Sequence, residues 1–314
     1  MGGKDVTMTK PMDDRIPSPL TSVTPTPPTP RAPTKTPFYE ATTAARYARQ
    51  GLIREIEATT GARLICYIAE HHQQIDRHDV LGIVDLLHNI PVGSPIDLLL
   101  HSPGGDIDAA EKVISLIRKR AGTGIVRVVV PDFAKSAATL IALGSNTIVM
   151  SDTSELGAID PQIELKDMYG NGSLHSAQSY LDAFETHSEN LKADPRDPVA
   201  SLMLSKMEPA TVRKIERIAL RSKAIAEDLL SKAMVKDEAK AKKIASELAN
   251  TKRWHSHGQV IGHETATGLG LNVEYLPPES PLWIKFWRLY CLQIYTVDNG
   301  VKLFESSYAS LPMA

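Results

Sequence analysis

From residue 63 onward the chain alternates between two rhythms of apolar positions. Short, nearly continuous apolar runs, Arg63 to Ala69, Ile96 to Leu100, Ile125 to Val130 and Thr147 to Met150, have the length of strands buried on both faces. The second run breaks at Ser102-Pro103-Gly104-Gly105, after which Ala110, Val113, Ile114 and Ile117 recur at helical spacing. The third stops at Pro131, and a small-residue segment from about Ser136 to Leu143 ends at Gly144, a helix stop. A unit of strand, turn and helix therefore repeats. Such repeats predict a parallel sheet with its ligand site at the C-terminal strand ends, where both the glycine turn and Ser136 fall.

The flanking segments have other patterns. Residues 1–37 are rich in Pro and Thr, have no apolar face to bury, and are expected to form a disordered arm. The core is expected to start with a helix from Phe38 to Thr60 and to run over 38–172. The stretch from Glu70 to Ile90 carries His71, His72, His78 and His88, but Val80, Ile83, Val84 and Leu87 mark a buried helical face there, so a metal cluster is not expected. Residues 173–250 read as helices separated by a Pro/Asp-rich break and predict a helical insertion subdomain with solvated charged faces. The chain is expected to rejoin the core over 251–279 and to end in an aromatic tail, 280–314. The tail's Trp283, Phe286, Trp287 and Tyr290 suggest a protein contact ahead of a membrane-surface helix.

Composition narrows the function classes. A hydrophobic content of 42% supports a sizeable core, and a net charge of −2 argues against a general nucleic-acid surface. Two cysteines, Cys66 and Cys291, give no disulfide framework and point to a reducing cytoplasm. No apolar run is long enough to span a membrane and the N-terminus lacks a hydrophobic signal core, so no integral membrane segment is expected.

The chemistry concentrates in the two turns. Adjacent glycines let backbone N–H groups face a cleft without an intervening Cβ, and a serine at a helix start feels the positive end of the dipole. Ser136 is thus a candidate nucleophile, with an oxyanion hole from the amides of Gly105 and Ala137. A turn glycine pair and a capping serine explain each motif alone equally well.

The blocks SPGGD at 102–106, AKSAATLIALGS at 134–145 and LGAIDPQ at 156–162, in this order, resemble the ClpP/crotonase superfamily. The likeness is closest to its serine dehydrogenase proteinase (SDH-type) branch, related to the Clp proteolytic subunit and to SppA-type signal-peptide peptidases, and runs from about Phe38 to Leu276. Ala138 departs from a glycine common there, which implies a tighter helix start. The resemblance implies an α/β fold, a ClpP/crotonase-like spiral of repeated β-β-α units with a helical insertion. Ala266, Gly270 and Leu271 fit the ending shared by the Clp-type and SppA-type families. Counting back from it, the resemblance implies a Ser, Asp, His order with Asp160 and His257 as partners of Ser136. His255 and His263 compete for the base. A lysine base of the SppA kind leaves Lys135, Lys166, Lys192 and Lys206 as candidates.

The resulting expectation is a cytoplasmic, homo-oligomeric serine peptidase acting on peptides or unfolded protein, without cofactor or metal, with an ATPase or other protein partner left open. Two alternatives belong to other classes: a crotonase-like acyl-CoA enzyme using the oxyanion hole without a nucleophile, and a non-catalytic scaffold binding peptides along the sheet edge. A valine at Gly105 is expected to cost activity more than stability.

Overall fold

The computed structural model describes residues 1–2, 35–166, 170, 172–254, 256–297 and 300–313. The Pro/Thr-rich arm over 3–34 and His255 lie outside the described residues. The chain divides into two units, Met1–Ala41 and Thr42–Ala314. The first contributes the opening of a helix, α1 (Pro37–Thr60), and the second holds everything that follows.

After α1 come β1 (Arg63–Ala69), α2 (Asp79–His88), β2 (Ile96–His101) and α3 (Ile107–Ala121). Next are β3 (Val126–Val129), the short β4 (Phe133–Ala134), α4 (Ala137–Leu143), β5 (Thr147–Met150) and the short β6 (Glu155–Leu156). A hairpin of β7 (Gln162–Lys166) and β8 (Gly172–Ser176) leads into α5 (Ala177–Ala193), α6 (Pro198–Ser205), α7 (Pro209–Lys232) and α8 (Glu238–Leu248). Then α9 (His263–Leu269), β9 (Val273–Tyr275), α10 (Pro281–Ile294), β10 (Lys302–Ser306) and β11 (Ser310–Met313) complete the described chain.

Seven strands form one sheet in the order β11-β10-β1-β2-β3-β5-β9. From β1 to β9 every pairing is parallel, while β10 and β11 add two antiparallel strands at one end. The apolar runs are explained by burial on both faces. Ile65, Tyr67, Leu98, Leu100 and Val128 face a core shared with α2, α3, α4, α7 and α8. Their neighbours Leu64, Cys66, Leu99, Val129 and Val149 face a second core built on α1 and α10. After β3 and β5 the chain adds β4 and β6, which pair in a small parallel sheet of their own, so the fold is an α/β one built on a parallel-rich central sheet.

Two sequence expectations are corrected here. The segment from 280 onward is not a tail. Its helix α10 buries Trp283, Phe286, Leu289 and Tyr290 against the sheet, and β10 pairs with β1, so most of the aromatic surface is spent inside the chain. On α2, Val84 is 49% exposed, whereas Gly82, Ile83, Leu86 and Leu87 are buried. The helix is rotated because Gly82 lies on the ring of Phe304 from β10, where a Cβ would stand 2.6 Å from the ring.

Candidate active site

The glycine turn leaves β2 and the Ser136 turn follows β4, and backbone bonds hold the two together. Ser102 N–H donates to Phe133 O at 3.1 Å and Lys135 N–H donates to Ser102 O at 3.1 Å. The fit is close, since a Cβ on Gly104 would come within 2.7 Å of Ser136 Cβ. Ser136 itself has φ 52° and ψ −120°, and among the described residues it is the sole non-glycine at positive φ. Such backbone costs on the order of 1–3 kcal/mol and persists only where its surroundings enforce it, a pattern that clusters at functional sites. Here the surroundings include Thr139 of α4, whose hydroxyl donates to Ala134 O at 2.7 Å and to Gly157 O at 3.1 Å.

Gly105 pairs with Ile75 in a parallel bridge through its neighbours. Ile75 N–H donates to Gly104 O at 2.7 Å and Asp106 N–H donates to Ile75 O at 2.9 Å. The Gly105 amide therefore points away from Ile75. Among the described residues neither it nor the Ala137 amide has an acceptor. A Cβ on Gly105 would lie 2.4 Å from Ile75 O and 2.5 Å from Ile75 N, at φ +146°. This revises the expectation for valine there: the collision is with backbone, so stability suffers along with activity. Gly105→Val should lower the unfolding free energy by at least about 2 kcal/mol, which urea denaturation will read.

Asp160 is buried, 4% exposed, and accepts from His257 Nδ1 at 2.9 Å. A carboxylate can only accept, so this bond places the proton on Nδ1 and leaves the Nε2 lone pair available as a base. The loops carrying the pair are tied to the nucleophile turn. Leu156 and Ile261 exchange backbone bonds of 3.0 and 3.1 Å, and Lys135 Nζ reaches Leu156 O at 3.2 Å and Gly258 O at 3.4 Å. From the helical side, Ser222 of α7 donates to Ile159 O at 2.7 Å. Ser136 Oγ makes no hydrogen bond with any described residue, so the contact between serine and imidazole is not formed in this state.

The competing bases are placed as follows. His263 stacks on Tyr275, with ring centroids 4.2 Å apart, and lies 3.6 Å from Asp152. Lys135 is ion-paired with Glu155 at 2.7 Å, while Lys192 and Lys206 are exposed on α5 and at the end of α6. The Lys166 side chain lies outside the described residues. Of the histidines before and in α2, His72, His78 and His88 are exposed, and His71 packs on Phe133 at 5.3 Å. Burial pushes the Cys66 thiol well up, which keeps it protonated and unreactive.

Sequence reasoning passed over two features of the site. The first is His101, immediately before the glycine turn and fully buried against Phe133 and Tyr290. Burial drives its imidazole down to about 3, and His71 alongside adds to the shift. Asp132 stands 3.9 Å away and takes the Tyr290 hydroxyl instead. The unfolded imidazole titrates near 6.5, so between that value and about 3 unfolding takes up a proton and acid weakens the fold. At pH 5 the loss is about 2 kcal/mol relative to pH 7. Denaturation of wild type and His101→Gln at the two pH values should show that increment only in wild type.

The second feature is the wall opposite the serine. Gly105, Ile107, Ser136 and Pro161 open on a cleft of about 680 Å³ whose far side is α7, with Lys214, Arg217 and Arg221 among the lining residues. Their i, i+3, i+7 spacing on α7 was visible in the sequence, but nothing there indicated what the stripe faces.

The parallel sheet thus joins a strained serine turn to two amides that have no acceptor among the described residues, at the edge of a cleft. The chain matches the ClpP-like SDH-type serine proteinase family over residues 36–292 and belongs to it. It is 28% identical over 248 residues to the uncharacterized protein MJ0137 of Methanocaldococcus jannaschii, covering 74% of this chain and 76% of that one. It is also 28% identical over 233 residues to MJ1495 of the same organism, covering 70% of each. Two solved structures of the 1510-N membrane-bound stomatin-specific protease are similar at 20% identity and TM-score 0.41, each over 68% of this chain. One is a serine-to-alanine mutant, matched over 81% of its length, and the other a lysine-to-alanine mutant in complex with a substrate peptide, matched over 76%. No helix among the described residues is long and apolar enough to cross a membrane.

Proposed function

We propose that this chain hydrolyses peptide bonds with Ser136 as nucleophile, His257 as general base and Asp160 as the group that orients it. The observation that carries the reading is Ser136 held at φ 52° on the edge of the cleft that Gly105 also lines. In the reaction His257 Nε2 takes the Ser136 hydroxyl proton as Oγ bonds to the substrate carbonyl carbon. The carbonyl oxygen becomes an oxyanion stabilised by the Gly105 and Ala137 amides. Collapse breaks the C–N bond, and the proton on Nε2 passes to the leaving amine. Water then attacks the acyl-serine by the same route and frees the acid. Catalytic contacts commonly tighten only once substrate is bound, which accommodates the open Ser136 hydroxyl.

Substrates on this reading are peptides or unfolded segments, because the cleft is open and its mouth is formed by a loop, a turn and a helix. The helical stretch over 173–250 acts as an insertion that supplies one wall of the cleft. Two free cysteines suit a reducing compartment. A serine-reactive fluorophosphonate probe tests the nucleophile: labelling of wild type that disappears in Ser136→Ala supports it. Folded wild type that takes no label returns the chain to the scaffold or acyl-CoA readings.

A further inference from the structure

We infer that the cleft selects peptides carrying an acidic side chain close to the scissile bond, and that Lys214 and Arg217 on α7 read that charge. The inference rests on the peptidase reading above and adds its substrate class. Four cations and two carboxylates line the cleft. Most of these charges are already spent. Arg221 pairs with Asp108 and Glu111, and Arg213 pairs with Glu216 one turn on. Asp106 uses Oδ1 to cap α3, accepting from Asp108 N–H at 2.8 Å and Ala109 N–H at 3.3 Å, and its other oxygen lies 3.8 Å from Arg77.

Lys214 and Arg217 have no acidic partner among the described residues, although α7 carries Glu216 and Glu227 within a few turns. Three apart on the helix, they project side by side into the same cleft as Ser136. The chain as a whole is mildly acidic at −2, so this cationic pair is a local device rather than part of a basic surface. Ile107, Pro161 and Ile218 give the cleft apolar lining beside the charges. A carboxylate displayed on a peptide backbone, flanked by apolar side chains, fits this arrangement. Basic residues in the substrate would meet like charge, and such juxtaposition excludes wrong partners as well as attracting right ones.

The test uses the full chain and a set of unstructured fluorogenic peptides that differ only in Glu, Gln or Lys scanned across the positions flanking one cleavable bond. Two arms keep the inference separate from the reading beneath it. In the binding arm, fluorescence anisotropy with Ser136→Ala should give a Kd at least about tenfold lower for the best Glu peptide than for its Gln counterpart. The ratio should shrink as ionic strength rises from about 0.05 to about 0.5 M. Lys214→Glu/Arg217→Glu should invert the order so that the Lys peptide binds best, and Lys214→Gln/Arg217→Gln should level it. Circular dichroism confirms that both exposed double variants are folded. In the kinetic arm, wild type should show the same order in kcat/KM. Equal binding of all three peptides, or an order that survives charge reversal, overturns the inference while leaving the peptidase reading intact. Ordered binding without turnover of any peptide by folded wild type supports the charge selection and overturns the peptidase reading.

Discussion

Ser136→Ala is expected to lower peptide hydrolysis by at least about a thousandfold while leaving the unfolding free energy within about 0.5 kcal/mol of wild type. The two halves of this expectation come from different observations. Activity falls because Oγ is the only proposed nucleophile, and what remains is the contribution of substrate binding and the amide pair. Stability holds because Ser136 Oγ makes no hydrogen bond with a described residue that alanine would forfeit, and alanine keeps the same Cβ against Gly104. Ser136→Gly sharpens the point. Glycine tolerates φ 52° without strain, so this variant should be equally inactive yet no less stable than wild type, and up to about 1 kcal/mol more stable. Chemical denaturation beside a peptidase assay separates the two quantities. A loss of several kcal/mol in Ser136→Ala would mean that the hydroxyl has a structural role and that the inactivity says nothing about a nucleophile.

What the sequence revealed and what it hid divide along the distance over which each feature is specified. β1, β2 and β5 were legible because a strand buried on both faces must be apolar throughout, and α3 because its apolar stripe follows Asp106, whose carboxylate caps the first turn. Helix α7 was legible as a helix from its apolar stripe, without a capping side chain. Strand β10 was not, since KLFES carries Lys302 and Glu305 at positions that turn out to be buried. Their charges are matched by residues more than 200 positions away: Lys302 by Asp76 and Asp79 at 2.7 and 2.8 Å, and Glu305 by Arg49 at 2.8 Å. A local pattern cannot distinguish such a strand from a solvated tail.

The candidate site follows the same rule. The glycine turn and the serine turn each announce themselves within a few residues. The pairing of Asp160 with His257 spans 97 positions and was suggested only by resemblance to a family. The cationic wall of the cleft depends on which face of α7 meets the glycine turn, and packing in three dimensions decides that.

His257→Ala should cost about a thousandfold or more in kcat/KM, and Asp160→Asn a comparable amount with the fold intact. The argument for the second is the more specific. Asp160 is buried and its Oδ1 fixes the Nδ1 proton of His257, which leaves Nε2 unprotonated and able to accept from a serine. Asparagine has the same shape, but its amide can present N–H to Nδ1, and that hydrogen bond stabilises the tautomer with its proton on Nε2, where it blocks the base. Because the imidazole must be neutral to take a proton, wild-type kcat/KM should fall toward acid pH, and this limb should vanish in His257→Ala. The lysine alternative makes the opposite forecast. Lys135 Nζ is held by Glu155 at 2.7 Å and by two backbone carbonyls, so it is a cationic tether between the serine turn and the His257 loop. Lys135→Met should therefore reduce kcat/KM by less than about tenfold through loosened loop placement, far less than loss of the base. If Lys135→Met were dead while His257→Ala kept near-normal turnover across the pH range, the Ser-His-Asp assignment would fail. The bond between Asp160 and His257 would then be a structural clamp on the 257–261 loop.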